Sequence, residues 1–357
     1  MTSPRIFITG GAGLIGGDYL HILTDKYPSW SIVALVRQSE KAALMARYYP
    51  QVEIILGTLD DVGILEREST KADVVLNFAD CDHKPAAEAI IRGLAQRENI
   101  GTVIHTSGAK IIAWETESQP SMWGKDIPRR YNDWAGVEKL TTISPVESPK
   151  HSGSEDVLPS WAAHRDVDEV ILQGFRNHPR NVRTAIVCPP TVYGPSRFPG
   201  FTRSIQLPRL LNVVLRRRRA FTINGNENRW NMVHTQDISQ LYLLLTEAAV
   251  DRRLGDLWNE KGYYFAEHGE FRWGDVIREI ARIGYEKGLL NSAYPEELSN
   301  EAVSQFWYGG QMNVSSTSLG HSRRAWNLLG WKPTKHHLLQ DIGRTMDVEA
   351  FLLKSQK

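Results

Sequence analysis

Three glycines at three-residue intervals offer the first chemistry in this chain. They sit in Thr9-Gly10-Gly11-Ala12-Gly13-Leu14-Ile15-Gly16, behind a short apolar run and ahead of a helical pattern. Gly10 permits the tight turn, Gly13 lets backbone approach a pyrophosphate, and Gly16 lets the helix lie close on the strand. A bound anion would face the unpaired amides and positive dipole end of that helix. Thr9, Gly10, Gly13, Leu14, Ile15 and Gly16 are therefore candidate nucleotide contacts.

Further along, Val36 is followed by Arg37, where NAD-preferring folds usually carry an acidic residue for the ribose hydroxyls. A guanidinium there is a planar donor fork suited to a 2′-phosphate, and Lys41 follows one helical turn later. The expected cofactor is NADP(H). Asp60, with Asp61 beside it, is placed to accept from an adenine amine. Asn77-Phe78-Ala79 would pass beside the ribose, and Thr106 and Ser107 close the fifth apolar run.

Positioning these residues needs strands and helices in alternation. Arg5–Thr9, Ser31–Val36, Val52–Leu56, Asp73–Asn77 and Thr102–His105 read as buried strands, with Val182–Cys188 as a sixth. Their apolar runs are nearly continuous, as in a parallel sheet covered on both faces. Helical stretches such as Asp18–Lys26 and Pro85–Gln96 lie between them. The fold class is α/β: a doubly wound parallel sheet (Rossmann) with a smaller, mostly helical C-terminal substrate lobe. Residues 1–195 would form the dinucleotide-binding domain and 196–357 mainly the substrate lobe, some segments returning to the first. A stretch at about 109–160, rich in Pro, Ser, Trp and charge, reads as a lid or inserted subdomain.

Bulk properties exclude several classes. Lys plus Arg total 42 and Asp plus Glu 41, so no net field draws nucleic acid or an anionic membrane. The run Arg216–Arg219 reads as a solvated helix end. No apolar stretch approaches the ~20 residues that span a bilayer. The N-terminus shows no apolar signal region, and two cysteines, Cys81 and Cys188, make no disulfide framework. The expectation is a cytoplasmic protein with a small-molecule substrate, no nucleic-acid or membrane partner, and a homodimer as the protein partner to consider. The eleven histidines are scattered, and no metal is expected.

In combination these motifs resemble the extended short-chain dehydrogenases, the NAD-dependent epimerase/dehydratase group. The glycine spacing looks like that family's TGxxGxxG, and Gly57-Thr58-Leu59-Asp60 like its adenine-site motif. Pro189–Pro195 is similar to RPxxVYGP, which implies Pro189 and Val192 near the cofactor. Asn231–Asp237 resembles VHVDD, and Gly330-Trp331-Lys332-Pro333 the closing GWxP. Arg37 with Lys41 also resembles NADP-preferring and NmrA-like members, which include redox sensors.

One part of the pattern is missing. The family uses a Ser after the fifth strand and a Tyr-x-x-x-Lys on the next long helix, Tyr as acid or base and Lys to lower its pKa and hold the nicotinamide ribose. Here Gly108 aligns with the serine, leaving Ser107 one position early. Glu169 fits the glutamate that follows the lysine, which places Arg165 at the Lys position and Trp161 at the Tyr position. Arg165 would then bridge the ribose hydroxyls and lower the pKa of its neighbour His164. His164, Ser107, or Tyr131 from the insertion would supply the proton. Aromatic segments at Phe198–Phe201 and Gly262–Phe265 would line a substrate pocket. The expected activity is NADP(H)-dependent oxidation or reduction of a small carbonyl, imine or alcohol. The alternatives are a redox-neutral epimerase, isomerase or lyase, or an NADP(H) sensor that has lost the dyad.

Overall fold

The computed structural model describes residues 3–143, 158–200 and 202–355. Seven parallel strands form the central sheet: β1 (Arg5–Thr9), β2 (Ser31–Val36), β3 (Val52–Leu56), β4 (Val74–Asn77), β5 (Gly101–Thr106), β6 (Val182–Cys188) and β7 (Tyr263–Phe265). Their spatial order is β7-β6-β5-β4-β1-β2-β3, so the chain reverses direction across the sheet beside β1. Ligands bind at such a switch, outside the carboxyl ends of the strands.

The inner strands read as unbroken apolar runs because both faces are covered; β3, expected to be buried, is instead the edge strand, with Glu53 and Leu56 exposed. Ile6 and Ile8 of β1 enter one core, with Ile32, Ala34 and Val36 of β2. Phe7 points the other way, with Val33 and Leu35. Helices α1 (Leu14–Lys26) and α6 (Thr235–Val250) close the first face; α3 (Val62–Lys71), α4 (Lys84–Ala95) and α5 (Arg165–Asn177) close the second. α2 (Ser39–Tyr48) packs by β3 at the sheet's edge. Each fully buried Ile, Val or Phe contributes ~1.5–3 kcal/mol, which makes the two faces the main source of stability.

The seventh strand corrects the sequence reading. Tyr263, Tyr264 and Phe265 are buried in the sheet, beside Ile186–Cys188 of β6, and so line no substrate pocket. Phe198 likewise packs on Gly17 of α1 and beside Tyr49; Phe201 lies outside the described residues. What sequence could not reveal is that three residues 75 positions beyond β6 would supply an edge strand.

Beyond Tyr193 the chain builds a smaller, mostly helical lobe, its core formed by Leu210, Leu211, Val214, Trp273, Ile277, Ile280 and Met346. A three-stranded sheet, Thr191–Tyr193, Arg229–His234 and Glu270–Arg272, joins it to the nucleotide half. The stretch read as an insertion is tied into this lobe. Tyr131–Asn132 pairs in parallel with Gly320–His321, Gly124 donates to the Ser315 carbonyl, and the buried Trp123 donates to Thr116. Asp133 anchors it, accepting from the amides of Phe265, Arg323 and Arg324. Residues 144–157 of that stretch lie outside the described ones. No helix of the described residues is long and apolar enough to cross a membrane.

Candidate functional site

The glycine loop connects β1 to α1. Gly10 adopts a left-handed φ of 71°, and a Cβ there would lie 2.6 Å from the backbone of Phe78 and Ala79. A Cβ on Gly16 would lie 2.5 Å from the Gly10 carbonyl oxygen. Both positions are closed to any side chain. Gly13 is the N-cap of α1 and offers no capping side chain, and the first turn holds no acidic residue. The helix end therefore keeps its positive character for an anionic group.

Above the loop is a cleft of about 500 Å³ lined by Thr9, Gly10, Gly13, Arg37, Lys41, Asp60, Phe78 and Ala79 among others. These residues fit the adenosine and pyrophosphate portion of a dinucleotide. Arg37 is exposed at the end of β2, and no described hydrogen bond or ion pair engages it. Lys41 Nζ donates to the Ala12 carbonyl at 3.2 Å, which holds its ammonium beside the loop. Asp60 meets His83 Nε2 at 3.1 Å. Asp61 turns instead to its own loop, accepting from the Thr58 amide and hydroxyl.

Other expected contacts have their polar groups engaged below the cleft. Asn77 accepts from the Thr9 hydroxyl at 2.6 Å and meets His105 Nδ1 at 3.0 Å. Thr106 Oγ1 shares a hydrogen bond with the Tyr242 hydroxyl at 2.7 Å. Leu14 and Ile15 are half-buried in the first turn of α1. Pro189 is buried, with its carbonyl accepting from Ala109, and Val192 packs against the core under α1.

The register of α5 differs from the one read in sequence. Arg165 is wholly buried, and its three donor groups reach the Leu140 carbonyl, the Thr142 carbonyl and the Glu169 carboxylate. A guanidinium with its fork so occupied cannot also bridge ribose hydroxyls. Trp161 precedes the helix, 41% exposed, edge-on to Trp114. The residues of α5 that face the end of β5 are His164 and Asp168, also four apart. A Cβ on Gly108 would lie 2.8 Å from His164 Nε2. Ser107 Oγ donates to Asp168 Oδ2 at 2.9 Å, and the Tyr263 hydroxyl donates to the same oxygen. His and Asp thus stand at the spacing of the missing Tyr and Lys.

Electrostatics at this point also differ from expectation. Burial opposes charge on His164, but hydrogen bonds to Asp82 and Cys81 outweigh it and carry its pKa up to about 10. The net shift is the reverse of the lowering expected from Arg165, whose guanidinium is engaged by the Leu140 and Thr142 carbonyls. Burial raises Asp168 to about 6 against the hydrogen bonds from Ser107 and Tyr263. The hydroxyl of Tyr131 accepts from Trp114 Nε1, and burial pushes its pKa up, so it is held as a packing group rather than a proton donor.

Sequence reasoning missed two residues. Cys81 and Asp82 follow β4 on the ligand side, and both meet His164: Nδ1 lies 3.3 Å from Cys81 Sγ and 2.6 Å from Asp82 Oδ1. The three ligand-capable atoms lie within 4.8 Å of one another. The histidine is 82 positions from Asp82, so spacing along the chain could not reveal this cluster. The sequence reading of scattered histidines without ligand spacing gave no sign of this cluster.

Comparison with known proteins agrees with this architecture. The model of the NAD-dependent epimerase/dehydratase family matches residues 6–259. The oxidase ucsJ of Acremonium sp is 32% identical over 363 residues, covering 98% of both chains. An uncharacterised protein of Schizosaccharomyces pombe, C2A9.02, is 28% identical over 346 residues, covering 95% of this chain and 98% of its own. Among solved structures, dTDP-glucose 4,6-dehydratase of Bacillus anthracis in complex with NAD superposes with a TM-score of 0.62 at 15% identity, covering 97% of this chain and 96% of its own. UDP-glucuronic acid 4-epimerase of Bacillus cereus, with UDP-glucuronic acid and NAD, gives 0.60 at 15%, covering 98% and 99%. At such identities the likeness is one of fold.

Proposed function

The chain belongs to the NAD-dependent epimerase/dehydratase family, and from that premise we propose that it is an NADP(H)-dependent oxidoreductase of the extended short-chain dehydrogenase type, acting on a small organic carbonyl, imine or alcohol. The observation that carries the reading is Arg37. It lines the nucleotide cleft from the end of β2, where a carboxylate would repel a 2′-phosphate, and Lys41 adds a second cation on the same wall. Redox chemistry, rather than the sugar-nucleotide chemistry of the structural neighbours, is supported by the relative that is named an oxidase.

The chain's own groups then divide the work. Gly10, Gly13 and the start of α1 hold the pyrophosphate, and Arg37 selects the phosphorylated ribose. Hydride exchange is the chemistry that a nicotinamide supplies when bound. The substrate belongs beside Gly108 and His164, at the carboxyl ends of β4 and β5. Asp168 fixes Ser107 and the end of β5 from below.

One observation favours a sensor instead: neither Tyr nor Lys stands at the spacing used by the family. The test is to titrate NADPH and NADH into the protein, then follow single-turnover oxidation of NADPH with a panel of carbonyls and imines. NADPH is expected to bind at least ~10-fold tighter, the equivalent of ~1.4 kcal/mol. Equal affinities would remove the NADP assignment. Tight binding with no oxidation, and no reduction of NADP⁺ by alcohols, would move the conclusion to a sensor.

A further inference from the structure

Two groups that compete for one nitrogen need an explanation. A histidine acting as general base bonds its nucleophile through one ring nitrogen and its orienting carboxylate through the other. Here Cys81 Sγ and Asp82 Oδ1 both converge on Nδ1 of His164, while Nε2 is turned to Gly108. One nitrogen carries one proton or one lone pair and cannot satisfy both partners well. The three donor atoms lie within 4.8 Å of one another, close enough for a small side-chain shift to bring all of them round a single ion in place of the shared nitrogen.

We infer that Cys81, Asp82 and His164 form a three-ligand site for a borderline-soft divalent cation, zinc above all, at the carboxyl ends of β4 and β5. The donor set selects the ion: a sulfur and an imidazole nitrogen disfavour magnesium and calcium, which take oxygen ligands. Three protein ligands leave a fourth position open, as in catalytic rather than structural zinc sites. A thiolate and a carboxylate would neutralise a divalent charge, so the loaded site carries no net charge into a half-buried place.

The scaffold supports the site from two sides. Cys81 and Asp82 come from the loop between β4 and α4, while His164 is the N-cap of α5, with a left-handed φ of 67°. That conformation is costly for a residue other than glycine. The buried Arg165 fixes the same turn through the Leu140 and Thr142 carbonyls. Gly108 leaves room for the ring. A serine there, as in the family pattern, would require the ring to move.

In function the inference rests on the hydride-transfer reading: an electrophile at the open position would polarise a carbonyl or alcohol oxygen, the task of the absent tyrosine. Its existence can be tested without turnover. The full chain is stripped with a chelator and titrated with Zn²⁺ against a chromophoric indicator, and separately with Co²⁺. One equivalent per chain is expected, with a thiolate-to-cobalt charge-transfer band. Cys81→Ser should abolish the band. Both Cys81→Ser and His164→Asn, the latter chosen because Asn tolerates a left-handed backbone, should weaken Zn²⁺ binding by at least ~100-fold, since second-shell changes alone cost ~10–100-fold. NADPH affinity, measured with chelator present, controls for folding in each variant. Absence of stoichiometric binding overturns the site and leaves the cofactor reading standing. Unchanged Zn²⁺ affinity in both variants overturns it too, assigning the metal to surface histidines. Metal binding without NADPH binding upholds the site and defeats the cofactor reading.

Discussion

Nε2 of His164 occupies the space into which a side chain at Gly108 would grow, 2.8 Å from the position of its Cβ. The glycine and the histidine therefore come as a pair: the serine that the family places at this point and the imidazole found here exclude each other. Because the obstruction is the far end of a side chain, Gly108→Ser should be accommodated by swinging the ring, not by moving β5. Stability should fall by only ~1–2 kcal/mol. The ring would leave Cys81 and Asp82, and single-turnover rate should fall by ~10-fold or more while NADPH affinity holds. Thermal melting, NADPH titration and stopped-flow together check this. An unchanged rate would show that the placement of His164 is not needed.

Arg37 makes a separable prediction. If its fork binds a 2′-phosphate, Arg37→Ala should cost NADPH ~1–3 kcal/mol, the usual worth of charge-assisted bonds. NADH, which lacks that phosphate, should bind as before. The effect should shrink with added salt, since the side chain is exposed. Loss of affinity for both nucleotides alike would mean that the residue acts through the fold of the β2 end.

Arg165 should behave as a structural residue. Its removal leaves the Leu140 and Thr142 carbonyls without their donor inside the protein. Arg165→Ala should destabilise by ~3–5 kcal/mol, the cost of breaking a buried charged contact. Dinucleotide affinity of the folded fraction should be unaffected. A variant that is stable but binds NADPH weakly would restore the ribose-anchor role.

What the sequence revealed and what it hid follow from range along the chain. The glycine loop was legible because its three glycines, its turn and the packing of Gly16 on the Gly10 carbonyl all fall within eight positions, although the close approach at Gly10 is to the distant Phe78 and Ala79. Strands β1, β2, β4, β5 and β6 were legible because burial on both faces leaves an apolar run, and β3 because its run is largely apolar although it lies half-open at the sheet's edge. Tyr263–Phe265 was read as pocket lining, since three aromatic residues carry no sign that their strand joins a sheet far away in sequence. The register of α5 was lost for a related reason. Glu169 suggested Arg165 at the lysine position, yet the side chain that must face β5 is decided by packing, and Asp168 takes that face. Cys81 and Asp82 carried no local pattern at all; only folding brings them to His164.

The last prediction concerns Asp133, which ties the stretch after β5 to the edge strand β7 through the Phe265 amide and to the second lobe through the amides of Arg323 and Arg324. Burial raises its pKa to about 6 even though all three amides favour the carboxylate. Against ~3.9 in the unfolded chain, the folded state holds the proton more tightly between the two values. The sign follows: the contribution to stability is fully present below about pH 4 and is lost as pH rises through 6. At ~1.4 kcal/mol per unit, the loss amounts to at most about 3 kcal/mol. Other groups titrate in this window, so the measurement is a comparison. Urea unfolding of wild type and Asp133→Asn at pH 4, 5, 6 and 7 gives the difference at each pH. The amide does not titrate, and its misfit against the Phe265 N–H is constant. Wild type should hold its greatest relative advantage at pH 4 and lose it by pH 7. A difference that stays flat would mean that the carboxylate is well enough solvated by its amides to ionise normally, and that the junction between the two halves is indifferent to pH.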